Sequence, residues 1–220
     1  MQNDSIAEQS AASDNTISVS MGEANRRAIP LVFLSIMLIV LAHWTIWGRV
    51  SILHGFHVFS NLLFFIPMVV LGSMLHEVLH AVGWVWFGLT PITTIRFGFQ
   101  LEAFTMYAQC CVPLESRAYR AGLALPGVVL GVLPVLVGMV SGIAWVTMCG
   151  ALFVAVATGD ALVLWMIRSV PQGVCVIDHP TQVGCQIVDE MKSHVPDHVI
   201  VPARQTTFEC LHLPQTMSQS

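Results

Sequence analysis

Residues 58–88 read VFSNLLFFIPMVVLGSMLHEVLHAVGWVWFG. The run is apolar almost throughout, and it is longer than the about 20 residues a helix needs to cross a bilayer core of ~30 Å. It therefore predicts a membrane helix. Inside it stand three ionisable side chains, His76, Glu77 and His80. A carboxylate at the centre of a bilayer costs roughly 2–3 kcal/mol on insertion scales, so groups of this kind within a span point to a functional site.

The rest of the chain agrees with a membrane setting. Of its 220 residues 55% are hydrophobic and 10% are charged, where soluble domains carry about 25% charged residues. Mean hydropathy is +0.73. The length suits one compact membrane domain with modest appendages. A net charge of −4, with no basic cluster and no base-stacking aromatic pattern, gives no case for nucleic-acid binding. The partners expected are membrane lipids and a peptide or transmembrane protein substrate.

Four spans fit the apolar runs: 30–47, 58–88, 121–140 and 145–169. The last two come from one stretch of 121–169 that carries no charge before Asp160 and breaks at Ser141-Gly142. Pro126, Pro134 and several glycines predict kinks or close helix packing in the third span. The first run is too late and too long for a signal peptide and reads as a retained anchor. Arg26, Arg27, Arg96, Arg117, Arg120 and Arg168 fall on one side of these spans and only Arg49 on the other. Positive charge marks the cytoplasmic side, so a multi-pass cell-membrane protein with both termini in the cytoplasm is expected.

Outside the spans, residues 1–28 are polar and rich in Ser, Asn and Gln, and read as a disordered tail. Thr93–Phe99 and Leu101–Cys111 predict a short cytoplasmic β-hairpin. Val174–Ile177 and Cys185–Val188, with a turn at Asp178-His179-Pro180 and Gly184, predict a small β extension over 171–192. Residues 193–220 read as a mobile tail. The fold class is thus an all-α polytopic membrane protein, with about four transmembrane helices over 29–170, the hairpin and the C-terminal β extension. Cysteines 110, 111, 149, 175, 185 and 210 form no C-x-x-C pair and read as thiols without a catalytic role. His43 reads as a helix-end histidine, His54 and His57 as loop residues and His179 as a turn residue.

His76-Glu77-Val78-Leu79-His80 is the H-E-x-x-H pattern of zinc hydrolases. Positions i and i+4 lie about 40° apart around a helix, so both imidazoles can reach one metal. Glu77, about 100° away from His76, cannot easily join them but can reach a water at that metal as general acid/base. A catalytic zinc takes three protein ligands. Among acidic residues only Asp160 shares the predicted spans with Glu77. Counted at 1.5 Å per residue, His76, His80 and Asp160 all lie roughly 12–18 Å from the same helix ends. Gly159 beside Asp160 predicts close helix approach.

With these residues in place, the chain resembles intramembrane metalloproteases of the site-2 protease type, which pair an H-E-x-x-H helix with an Asp on a later span. It resembles more closely a group of bacterial membrane proteins called putative zincin peptidases. That closer resemblance rests also on Ala118-Tyr119-Arg120 leading into Leu125-Pro126-Gly127, on Thr158-Gly159-Asp160 and on Asp178-His179-Pro180 followed by Gly184-Cys185. It covers about 65–190. It implies Zn2+ held by His76, His80 and Asp160, with Glu77 as the catalytic acid/base of an endopeptidase. Site-2 proteases usually carry Asp-Gly, whereas here Gly precedes Asp160 and Ala161 follows. No PDZ or CBS domain fits in this length. Two readings from other classes stand beside this one. The first is a non-proteolytic zinc-binding membrane protein (a pseudoprotease, sensor or scaffold). The second is a metal-free hydrogen-bonded His/Glu/Asp cluster. A transporter is disfavoured by the lack of a pseudo-repeat.

Overall fold

The computed structural model describes residues 16–100, 105–179 and 183–188. Strand β1 (Thr16–Val19) leads into helix α1 (Met21–Phe59). Ser20 caps α1 by accepting the Glu23 amide at 3.3 Å, and Glu23 pairs with Arg27 one turn on. Helix α2 (Leu62–Gly88) starts at Asn61, whose side chain accepts the Leu63 amide at 3.0 Å. It stops where Leu89 turns left-handed (φ 51) before Pro91, a residue that cannot continue a helix.

Strands β2 (Ile95–Gln100), β3 (Thr105–Cys110) and β4 (Leu114–Glu115) follow. Helix α3 (Ser116–Pro126) runs through a widened turn at Gly127–Val132 into α4 (Leu133–Ser141). Gly142 (φ 73) reverses the chain into α5 (Ala144–Val156). That helix bends by 42° into the segment containing α6 (Thr158–Met166). Strands β5 (Cys175–Asp178) and β6 (Val183–Val188) close the described chain.

Three helical stretches are long and apolar enough to cross a membrane, or four if the bent α5–α6 pair is one span. Their outward faces carry large apolar side chains, such as Phe33 (71% exposed), Leu63 (88%) and Val140 (83%). In water such a surface would be an interaction or aggregation site, whereas lipid satisfies it. The buried core sits instead at one end, where Trp84, Tyr119, Leu114, Ile167, Val176 and Cys185 pack together.

The sheets gather the connections at that end. One antiparallel sheet has the order β1-β6-β5-β4, with Ile17 opposite Cys185 and Leu114 opposite Val176. It joins the residues before the first span, between the second and third, and after the fourth, so all three lie at the same end of the helices. The β2–β3 hairpin forms a separate sheet, with Phe97 opposite Ala108 and Phe99 opposite Met106.

Several expectations are corrected. Residues 16–28 belong to β1 and the start of α1 rather than to a disordered tail. The β-branched Thr16-Ile17-Ser18-Val19 stretch pairs with β6, and Ser20 nucleates the helix. Residues 1–15 and the tail over 193–220 lie outside the described residues. The small C-terminal β extension is part of a four-stranded sheet, because β1 and β4 join it. The first helix does not end at 47. Gly48 takes a left-handed φ of 77 and the helix resumes, so His54 and His57 are helical. The second half of α1 is held by Ser51, whose hydroxyl donates to the Gly142 carbonyl at 3.0 Å; just before the kink, the Trp47 indole donates to the Met139 carbonyl at 2.8 Å. The fourth span is broken at Ala157 rather than continuous.

The joint between β1 and β6 can be tested at Gly184. This residue has φ 137, and a Cβ on it would collide with the Ile17 carbonyl oxygen. Gly184→Ala is expected to loosen β1 at a cost of about 1–3 kcal/mol. Amide hydrogen exchange at residues 16–19 should rise well before exchange in α2 does.

Candidate metal centre

Helix α2 places His76 and His80 one turn apart, both buried, with their rings edge-to-face at 4.9 Å. Their burial follows from a close crossing with α3. A Cβ on Gly83 would lie 2.6 Å from the Gly122 Cα, and a Cβ on Gly122 would strike the Trp84 indole. With two glycines at the crossing the backbones nearly touch.

This approach brings the Gly122 carbonyl to 3.0 Å from His80 Nδ1. That carbonyl is available for a local reason. In a regular helix it would accept the amide of residue 126, but residue 126 is proline and has no N–H. The Gly127 amide bonds Ala124 instead. A carbonyl can only accept, so His80 Nδ1 carries the proton and a neutral ring keeps its Nε2 lone pair. Trp84 stacks on His80 (centroids 5.5 Å, 17°), and Tyr119 stacks on Trp84 (6.1 Å, 9°).

Asp160 arrives from the other side. The break at Ala157 starts a new helix, and Asp160 sits in its first turn, where the exposed amides and the helix dipole favour a carboxylate. Its Oδ2 lies 3.1 Å from His76 Nε2 and its Oδ1 lies 3.5 Å from His80 Nε2. Gly159 does not provide the close approach expected of it, since a Cβ there would meet nothing within 4 Å. The close approach near the centre is the Gly83–Gly122 crossing.

The donor atoms of His76, His80 and Asp160 all lie within 4.8 Å of one another. Tetrahedral zinc with bonds of about 2.0–2.1 Å sets its ligand atoms about 3.3 Å apart. The two nitrogen–oxygen separations lie near that value, each to a different oxygen of the Asp160 carboxylate. The set of two imidazoles and one carboxylate also suits zinc, and three protein donors leave a fourth position open. His76 Nδ1 is buried without a hydrogen-bond partner among the described residues. The histidines are therefore not equivalent, because His80 is oriented through its second nitrogen and His76 is not.

Glu77 stands apart from this donor group. Its Oε2 accepts the Ala108 amide of β3 at 2.7 Å. With His76 it lines a cavity of about 330 Å³. Neither the Ala108 contact nor the Gly122 contact was visible in the motif, although Pro126, which frees the Gly122 carbonyl, is plain in the sequence. His179 contributes a backbone amide to the β5–β6 turn, donated to the Gly184 carbonyl at 3.0 Å. The residue that reaches inward is its neighbour. Asp178 accepts the Tyr119 hydroxyl at 2.5 Å and the Cys110 amide at 3.1 Å. Burial pushes its carboxyl above the ordinary carboxylate range, and the two donated hydrogen bonds offset part of that rise. His43 is not a helix-end residue. It is fully buried, with Nδ1 2.9 Å from the Thr147 hydroxyl and Nε2 3.1 Å from the Ser51 hydroxyl.

Residues 68–175 match the model of a family described as "Putative zincin peptidase". The matched segment contains His76, Glu77, His80 and Asp160 and ends before Asp178. The description suggests a zinc metallopeptidase, and zinc is the metal it implies. No curated protein matches the chain, and no solved structure does.

Asp178 holds α3 and β3 together next to this centre. Asp178→Ala strands the Tyr119 hydroxyl and the Cys110 amide, and is expected to cost on the order of 1–3 kcal/mol. Thermal unfolding in detergent measures the loss. Asp178→Asn, which keeps one acceptor, should lose less.

Proposed function

We propose that the protein is a zinc-dependent, membrane-embedded endopeptidase that cleaves peptide bonds near the cytoplasmic membrane face. The observation that carries this reading is the convergence of His76, His80 and Asp160 from two helices, with Glu77 beside them. In this reading His76 Nε2, His80 Nε2 and the Asp160 carboxylate are the zinc ligands. Zinc, when bound there, supplies Lewis acidity that polarises the peptide carbonyl and acidifies water.

Glu77 handles the proton. With Oε2 held by the Ala108 amide, Oε1 is the oxygen left to take a proton from the attacking water. That proton then passes to the amide nitrogen as the carbon–nitrogen bond breaks. The Ala108 contact thereby aims the carboxylate. The Gly122 carbonyl acts earlier, holding His80 in the tautomer that presents Nε2. The apolar helix faces and the clustering of six arginines at one end of the spans support insertion with that end in the cytoplasm. The motif on one span and an acidic ligand on a later one also favour kinship with the site-2 protease type.

A second reading is favoured by the same Ala108 contact: a backbone amide occupies one oxygen of the proposed base. A zinc-binding membrane protein that does not cleave would keep the metal and have no need of the Glu77 carboxyl.

Zinc content after mild, chelator-free purification separates these readings. One zinc per chain is expected in the wild type. His76→Ala, His80→Ala and Asp160→Ala should lose it. Glu77→Gln should keep the metal and lose cleavage. Wild type without zinc would sink both readings, and full activity in Glu77→Gln would sink the peptidase alone.

Pro126→Ala gives a test in which stability and metal binding part. The restored amide competes for the Gly122 carbonyl. Helix stability should hold or rise, while zinc affinity falls about 10–100-fold, as when an orienting partner of a ligand is removed. Chelator competition measures the affinity.

A further inference from the structure

The cavity of about 330 Å³ beside the metal centre is lined by Val69, Val70 and Ser73 of α2, Phe99 and Met106 of the hairpin, and Val156, together with His76 and Glu77. Its walls come from the elements that build the centre. Residues 69, 73, 76 and 77 follow the helical i, i+4, i+7, i+8 spacing, so they share one face of α2. Phe99 and Met106 are a cross-strand pair on the hairpin whose Ala108 amide holds Glu77. Val156 is the last residue of α5, at the break from which Asp160 emerges.

We infer that this cavity is a substrate pocket that takes one bulky apolar side chain, of Leu, Met or Phe size, next to the bond being cut. The inference rests on the peptidase reading above. His76 and Glu77 form part of the wall, so an occupant lies within reach of the proposed base rather than at a remote void. Apart from Ser73 and that pair, the lining is aliphatic, thioether or aromatic, which excludes a charged occupant. The volume is at the small end of the ~300–1,000 Å³ range for ligand pockets, which suits a side chain better than a whole small molecule. Phe99 is half exposed, and with Met106 it supplies the hairpin's share of the lining. Those two residues and Val156 are the part of the lining that does not come from α2, so their size sets how much room the α2 face leaves.

The test uses the full chain in detergent, loaded with zinc, and a synthetic peptide library randomised along its length. Cleavage sites are read by mass spectrometry against Glu77→Gln as the blank. The wild type is expected to require Leu, Met, Phe or Ile at one fixed position beside the cut. Val156→Phe and Met106→Trp narrow the pocket and should move that preference to Ala, Ser or Gly, with a change in kcat/KM of about 10–200-fold, the range one methylene or more commands in an apolar pocket. Met106→Ala widens it, removes side-chain atoms only from a partly exposed hairpin position so that the fold is kept, and should admit Trp. Cleavage with no apolar preference, or a preference unmoved in all three variants, overturns the pocket and leaves the peptidase standing. Preferential photo-crosslinking of Met106 to an acyl chain rather than to a peptide also overturns it. A wild type that cuts no better than the blank overturns the peptidase reading and the pocket with it.

Discussion

Helices α2 and α3 meet with Gly83 packed on Gly122, and most of the centre depends on how near that contact lets them come. Any side chain at either position would push the helices apart, and the Gly122 carbonyl would move out of reach of His80. The same carbonyl would be unavailable if residue 126 supplied an amide. One pair of glycines and one proline therefore act together: the glycines bring the acceptor close and the proline leaves it unclaimed. Trp84 then covers the ring of His80 on the side where the glycines leave space, and Tyr119 covers Trp84. A tight helix crossing of this kind is paid for in side-chain packing at the crossing itself, and the stacked aromatic rings beside it restore that packing.

The hairpin is joined to this frame through its outer edge. The Cys111 amide bonds the Thr94 carbonyl across the hairpin, so by alternation the amides of Ala108 and Cys110 point away from β2. Unpaired edge amides invite another strand. Here two carboxylates take them, Glu77 from α2 at Ala108 and Asp178 from β5 at Cys110. The edge is therefore closed to chance pairing, and β3 is registered against both the candidate metal centre and the four-stranded sheet. Asp178 also receives the Tyr119 hydroxyl, which links that sheet back to the aromatic stack. The two sheets and the helix crossing thus form one connected support, although they are far apart in sequence.

Much of this was legible in the sequence, and the limits have physical causes. Long apolar runs announce helices, so α2 and the α3–α4 pair were found close to their true bounds. The turn at Gly142 and the hairpin strands were found for similar local reasons. The proximity of Asp160 to His76 and His80 is legible because burying an acid in an apolar run is costly, which leaves few candidates to match them in depth. What escaped depends on contacts between distant residues. Thr16–Val19 is too short to declare itself a strand until β6 is present to pair with it. Gly48 resembles a helix end, and the Ser51 bond to Gly142 at the α4–α5 turn, distant in sequence, holds the part of the helix that resumes after it. Gly159 looked like a packing glycine because it adjoins Asp160, yet open space surrounds it. Gly122 lies in the third span, whose glycines predict close packing, but its partner Gly83 carries no local mark in α2.

Burial alone does not separate a candidate metal-binding histidine from a structural one in this chain, since His43, His76 and His80 are all enclosed. Their partners do. Both ring nitrogens of His43 face hydroxyls, those of Thr147 and Ser51, and Ser51 passes its own proton to the Gly142 carbonyl. That network is neutral and complete, and it ties α1 to α5 with nothing left over. At His76 and His80 the partner is a carboxylate on a separate helix, His76 Nδ1 has no partner among the described residues, and the group borders a cavity. An incomplete set of polar groups in an apolar interior costs free energy in every molecule that lacks a ligand. A divalent cation would offset the part of that cost that falls on the facing atoms, because it would neutralise the Asp160 carboxylate and take the Nε2 lone pairs of His76 and His80. The arrangement is thus less stable than a closed network such as that of His43, and the deficit is what binding a metal would recover.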